Sequence, residues 1–146
     1  VEDIQADTNI LLRSAEPAHP THQQAVNAVK TLFANGDRVC LIPQNIIEFW
    51  NVATRPVDKN GFGWSPAKTD VEISRLESLL TVLPDSQAIY REWRKVVLDN
   101  SVLGKRVHDA RIVAAMNVHQ ITKLLTFNLK DFKWFGNITL IDPNSI

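Results

Sequence analysis

Ile4-Gln5-Ala6-Asp7-Thr8-Asn9-Ile10-Leu11-Leu12 carries two periods in nine residues. Ile4–Ala6 is short and β-capable, whereas Asn9 to Leu12 begins an apolar helical run, and Asp7 stands where one becomes the other. A strand that passes through an acid directly into a helix is the first half of a βα unit. Three more strand candidates lie downstream, Val39–Ile42, Lys123–Thr126 and Ile138–Ile141, each aliphatic or β-branched and bounded by polar or turn residues. Helical patterns separate them. Between Thr21 and Ala34, residues Ala25, Val26, Val29, Leu32 and Phe33 recur as one buried stripe, and Gly36 supplies a left-handed stop. Ser65-Pro66 pairs an N-cap with proline at the first helical position, leading into Ile73, Leu76, Leu79 and Leu80. Ser86 heads a helix presenting Ile89, Trp93, Val96 and Val97, and Asp109 heads one whose face holds Ala110, Val113, Ala114 and Asn117. Strands alternating with helices predict an α/β fold, a central parallel sheet of about four to five short strands flanked by helices.

The 146 residues suit a single domain, and nothing divides them: no repeat, no low-complexity tract, no long linker. Only Arg55–Pro66, with Pro56, Asn60-Gly61, Gly63 and Pro66, has loop composition, and it reads as an excursion between helices. The apolar runs fall far short of the roughly 20 residues that span a bilayer. Val1-Glu2-Asp3-Ile4-Gln5 has neither the basic start nor the apolar stretch of a secretory signal, so cytoplasm is the expected location. The lone Cys40, within Val39-Cys40-Leu41-Ile42, reads as a small buried side chain rather than a nucleophile. Net charge is zero, so no global field draws the chain to nucleic acid; a cation held among clustered acids would leave the remaining surface more basic than the total implies.

Ligands of such sheets bind beyond the carboxyl ends of the strands, where Asp7 and Thr126-Phe127-Asn128 both belong. Taken alone, Asp7 is a good helix N-cap. Glu48, among Ile46, Ile47, Phe49, Trp50 and Val52, is either a surface residue between buried faces or a buried carboxylate that must be paired or bind a metal. Asp109 reads equally well as a cap favoured by the helix dipole. Asn128 and Asp131 have the three-residue spacing of a capping pair opening a short helix. The acids are far apart in sequence, so only the fold could join them. Oxygen ligands without a Cys/His set select Mg²⁺ or Mn²⁺ over structural zinc.

Taken in order, these segments resemble the motifs of PIN domains, and more specifically of VapC-type toxins from bacterial toxin–antitoxin pairs. Asp7-Thr8-Asn9-Ile10-Leu11-Leu12 is similar to the opening motif, Ile46-Ile47-Glu48-Phe49-Trp50-Asn51-Val52 to the second and His108-Asp109-Ala110-Arg111-Ile112-Val113-Ala114-Ala115-Met116 to the third, the most specific. Leu125-Thr126-Phe127-Asn128-Leu129-Lys130-Asp131-Phe132 resembles the fourth, while Arg55-Pro56 and Asn60-Gly61-Phe62-Gly63 resemble a VapC subgroup feature. The resemblance runs from about Ile4 to Ile141. It implies a PIN fold, Asp7, Glu48 and Asp109 as ligands of Mg²⁺ or Mn²⁺, endoribonuclease activity, restraint by a VapB-type antitoxin, and a homodimer. The fourth motif often carries Asp where this chain has Asn128, which leaves Asn128 and Asp131 as alternatives for that position. Thr8, Asn9 and Thr126 are expected to orient the acids by hydrogen bonds, and Lys105, Arg106 and Arg111 to meet RNA phosphates. Three rivals remain at this level: a phosphatase or phosphoacceptor domain using Asp7 as nucleophile, a PIN-like module without activity, and an RNA-processing PIN nuclease without a toxin role.

Overall fold

The computed structural model describes residues 1–146. Strands β1 (Asp3–Ala6), β2 (Arg38–Leu41), β3 (Thr81–Val82), β4 (Lys123–Leu125) and β5 (Thr139–Ile141) form one sheet in the order β3-β2-β1-β4-β5. Every neighbouring pair is parallel. The helices are α1 (Thr8–Ser14), α2 (His22–Ala34), α3 (Pro43–Thr54), α4 (Pro66–Leu79), α5 (Gln87–Asp99), α6 (Val107–Val118) and α7 (Leu129–Phe132). The chain leaves β1 to build β2 and β3 on one side, then returns to add β4 and β5 on the other. β1 is thus the central strand, and the reversal opens a crevice at its carboxyl end.

Side-chain alternation sorts the core into two layers. Ile4, Ala6, Val39, Leu41 and Leu125 face α1 to α4, whereas Cys40, Ile42 and Leu124 face α5 and α6. A sheet covered on both faces is what all-parallel strands require. No helix is long and apolar enough to cross a membrane.

The expected α/β architecture holds, with differences in detail. Thr126, Ile138 and Ile42 lie just outside the strands proposed for them. β3 has no counterpart in the sequence reading, because a two-residue strand is too short to show alternation; its evidence is the register Cys40↔Thr81 and Leu41↔Val82. In α2, Ala25, Ala28 and Leu32 are buried but Phe33 is exposed, so the stripe is narrower than its hydrophobicity suggests. In α6 the buried set is wider than one alanine face, taking in Ile112, Ala115 and Met116, because α5 covers the side turned away from the sheet. α3 is not largely buried: Phe49 and Ala53 are, yet Ile47 is 68% exposed.

The stop signals behave as their chemistry dictates. Gly36 takes φ +85°, and the Asp37 and Gly36 amides donate to the carbonyls of Leu32 and Phe33, closing α2 in a Schellman motif. Ser65 Oγ accepts from the Lys68 amide at 3.1 Å ahead of Pro66. Ser86 occupies the N-cap position of α5 without a capping hydrogen bond. Arg55–Pro66 folds back on α3: the Phe62 and Trp64 amides donate to the carbonyls of Val52 and Ala53. Phe62 and Trp64 then pack edge-on against buried Phe49. Gly61 is obligatory there, since a Cβ would lie 2.1 Å from the Arg55 carbonyl oxygen.

Candidate active site

The Asp7 amide donates to the Leu125 carbonyl at 2.9 Å, so the carboxyl end of β1 is held against β4 before the chain turns into α1. The Asp7 side chain does two things. Its Oδ1 accepts from the Thr8 amide at 2.8 Å, the N-cap contact expected of it. Its Oδ2 points across to β4, accepting from the Thr126 hydroxyl at 2.8 Å and the Asn9 amide group at 3.2 Å. Asn9 also accepts from the Phe127 amide, and Thr126 Oγ1 from the Asn128 amide. Thr8, Asn9 and Thr126 therefore join the two strand ends around Asp7.

Glu48 comes from α3 with both oxygens engaged. The Thr8 hydroxyl donates to Oε1 at 2.6 Å, and Gln44 Nε2 donates to Oε2 at 3.1 Å. Gln44 and Asn45, both buried, were not singled out from the sequence. The available signal was Gln44 lying four residues before Glu48, on the same helical face.

Asp109 corrects the reading in which it heads its helix. α6 starts at Val107, Arg106 is at the N-cap without a capping bond, and Asp109 sits in the first turn with no hydrogen bond to its side chain. Asn128 and Asp131 likewise do not form a capping pair: Asn128 is the N-cap residue of α7, but no side-chain cap is made. Of the basic residues, Lys105 is exposed, Arg106 donates to the Asp131 carbonyl at 3.2 Å, and Arg111 is tied to Asp85 at 3.2 Å and Gln44 at 3.3 Å.

Burial pushes the Asp7 carboxyl up to about 6, against the hydrogen bonds from Thr126 and Thr8, with the charges of Asp109 and Glu48 adding to the rise. Asp109 also stands at about 6, first from burial and then from the charges of Asp131 and Glu48, opposed by Arg106 and His108. Asp7, Glu48, Asp109 and Asp131 thus share one electrostatic neighbourhood. None of the four has an ion-pair partner; the salt bridges of the chain all lie elsewhere. The donor set is of the kind a hard divalent cation takes, since its atoms are all oxygen and none is engaged in a salt bridge. No three acidic, histidine or cysteine side chains close into a cage of metal-ligand dimensions. Cys40 is outside this chemistry, buried with its thiol pushed up to about 11.

The sequence of residues 4–135 matches the PIN domain family. The chain belongs to the PIN-domain family. Among solved structures, this PIN domain is similar to VapBC2 from Rickettsia felis bound to a promoter DNA fragment, with a TM-score of 0.72 at 15% identity, covering 95% of this chain and 97% of that one. VapBC-1 from nontypeable Haemophilus influenzae gives 0.69 at 17%, over 98% and 99% of the two chains. VapC20 from Mycobacterium tuberculosis, a sarcin-ricin loop cleaving toxin, gives 0.59 at 18%, over 83% and 86%. At such identities the likeness establishes the PIN fold. No curated protein matches this PIN domain by sequence.

Proposed function

We propose that this PIN domain is a Mg²⁺- or Mn²⁺-dependent endoribonuclease that hydrolyses RNA phosphodiester bonds as the toxin of a VapBC-type pair. The observation that carries this is the hydrogen-bonded chain at the carboxyl end of β1: Thr8 donates its amide to Asp7 and its hydroxyl to Glu48, and Gln44 joins Glu48 to the His108 carbonyl beside Asp109, with none of the three acids in a salt bridge. In this reading the three acids hold the cation. A divalent ion there supplies neutralisation of phosphate charge and acidification of water for in-line attack on phosphorus. Thr8 and Thr126 keep two of the acids in place through their hydroxyls. Asn9 steadies the β1 and β4 ends.

The fourth position has two candidates three residues apart, Asn128 at the N-cap of α7 and Asp131 in its first turn. Lys105, Arg106 and Arg111 flank Asp109 and contact RNA phosphates, which confer affinity without sequence preference. The toxin assignment draws on the VapBC complexes among the similar folds, and it brings a VapB-type antitoxin, a homodimer and a cytoplasmic site of action with it. Residues 1–146 act as one domain.

The test is incubation with total RNA and Mn²⁺, comparing wild type with Asp7→Asn and Asp109→Asn and mapping the cut ends. Cleavage by wild type alone is expected. Full cleavage by both variants, with contaminating nuclease excluded, sinks the assignment of the acids.

A further inference from the structure

We propose that Gln44 is a positioning residue that fixes the Glu48 carboxylate relative to Asp109, an inference resting on the metal-dependent reading above. Gln44, near the start of α3, is 8% exposed, and its amide is fully engaged. Nε2 donates to Glu48 Oε2 at 3.1 Å and to the His108 carbonyl at 2.8 Å. Oε1 accepts from Arg111 Nη1 at 3.3 Å, and Arg111 is itself held by Asp85. This pattern admits one amide orientation. Reversing it would set the amide oxygen against a carboxylate and a carbonyl, and the NH₂ group against a guanidinium.

The neighbouring residue completes the hold on Glu48. Asn45 is fully buried; its Oδ1 accepts from the Ile42 amide and from Gln5 Nε2, which leaves Nδ2 to donate to Thr8 Oγ1 at 3.1 Å. The one hydroxyl hydrogen of Thr8 is thereby directed to Glu48 Oε1. Each oxygen of Glu48 thus has a fixed donor, and a carboxylate with about four lone-pair sites still has others free for a cation. Gln44 adds what Thr8 cannot. By bonding the carbonyl of His108, the residue before Asp109, the same amide ties the second acid to the amino end of the helix that carries the third. One side chain sets the spacing between two acids that would otherwise repel one another.

The experiment measures Mn²⁺ binding by calorimetry on the full chain without RNA, alongside thermal unfolding in EDTA and the separate dependence of kcat and KM on Mn²⁺ concentration. Gln44→Leu removes the donors at nearly constant volume, and Gln44→Met does so with a more adaptable chain should the leucine variant fail to fold. Loss of partners behind a metal ligand costs typically 10–100-fold in affinity, so Mn²⁺ binding should weaken at least about tenfold. kcat should fall at low Mn²⁺ and largely recover at high Mn²⁺, with the KM for RNA little changed. Thr69→Val serves as a stability control: it loses a buried hydroxyl that donates to the Ser65 carbonyl in α4, and its Mn²⁺ affinity should match wild type. Wild-type Mn²⁺ affinity in a folded Gln44 variant overturns the proposal while leaving the metal reading intact. A wild-type protein that binds no Mn²⁺ refutes the metal reading and the role of Gln44 together.

Discussion

Replacing Asp7 by Asn should abolish cleavage and yet make the metal-free protein more stable at neutral pH. Asn retains an oxygen for the Thr8 amide, and Asn and Asp are comparable N-caps, so the cap survives. What changes is the buried charge. Asp7 is raised from 3.8 to about 6, a rise of roughly two pK units, which caps the electrostatic relief at about 3 kcal/mol. Against this stand the two contacts to Oδ2, from the Thr126 hydroxyl and the Asn9 amide group, worth about 1 kcal/mol each. The net gain is about 1 kcal/mol, or roughly 2–4 °C in Tm for a domain of this size. The sign with pH follows from the direction of the shift. The folded carboxyl binds its proton more tightly than the unfolded one, so its stabilising contribution is complete below pH 3.8 and is lost as pH rises through about 6. The variant escapes that loss. Unfolding in EDTA should therefore find Asp7→Asn more stable than wild type at pH 7.5 and slightly less stable at pH 4, with Mg²⁺ raising only the wild type. A pH-independent difference, or an Asn variant that is the weaker protein at pH 7.5, would refute the view of Asp7 as a frustrated ligand and leave it a cap.

Thr8→Val keeps the shape and deletes the hydroxyl on Glu48 Oε1; Mn²⁺ affinity should fall about 10–100-fold, and Thr8→Ser should restore most of it, as read by calorimetry. Phe49→Ala should cost about 3–5 kcal/mol in urea unfolding, because Phe49 is fully buried and anchors Phe62 and Trp64; a loss below about 1 kcal/mol would mean the folded-back loop does not depend on it. Cys40 should resist thiol reagents in the native state and react at the rate of unfolding, being buried with its thiol held near 11; rapid native labelling would contradict the packing of β2.

Much of the fold was legible because its signals are local. Ser65-Pro66, Gly36 and the apolar run at Val39 act within a turn or a strand, and each does so in the structure as its chemistry predicts. β3 was not legible, since its two residues pair with β2 only because α4 delivers them there. The exposure of Phe33 and Ile47 was equally out of reach: hydrophobicity marks what can be buried, and neighbouring elements decide what is. In the candidate site, Asp7, Glu48 and Asp109 stand out by motif. Gln44 and Asn45 do not stand out in the same way: the i, i+4 spacing places Gln44 beside Glu48, but only the tertiary partners show what the two amides hold.

The sequence by itself determined the alternation of strands and helices, the position of Asp7 at a strand end and the membership of the three acids in recognisable motifs, all properties of residues close in the chain. Only the tertiary structure decided that Asp7 caps α1 with one oxygen while turning the other to Thr126 beyond β4, and that Asp109 stands within its helix rather than heading it. These depend on distances between elements far apart in sequence, which are set by parallel pairing across β1 and by packing on both faces of the sheet.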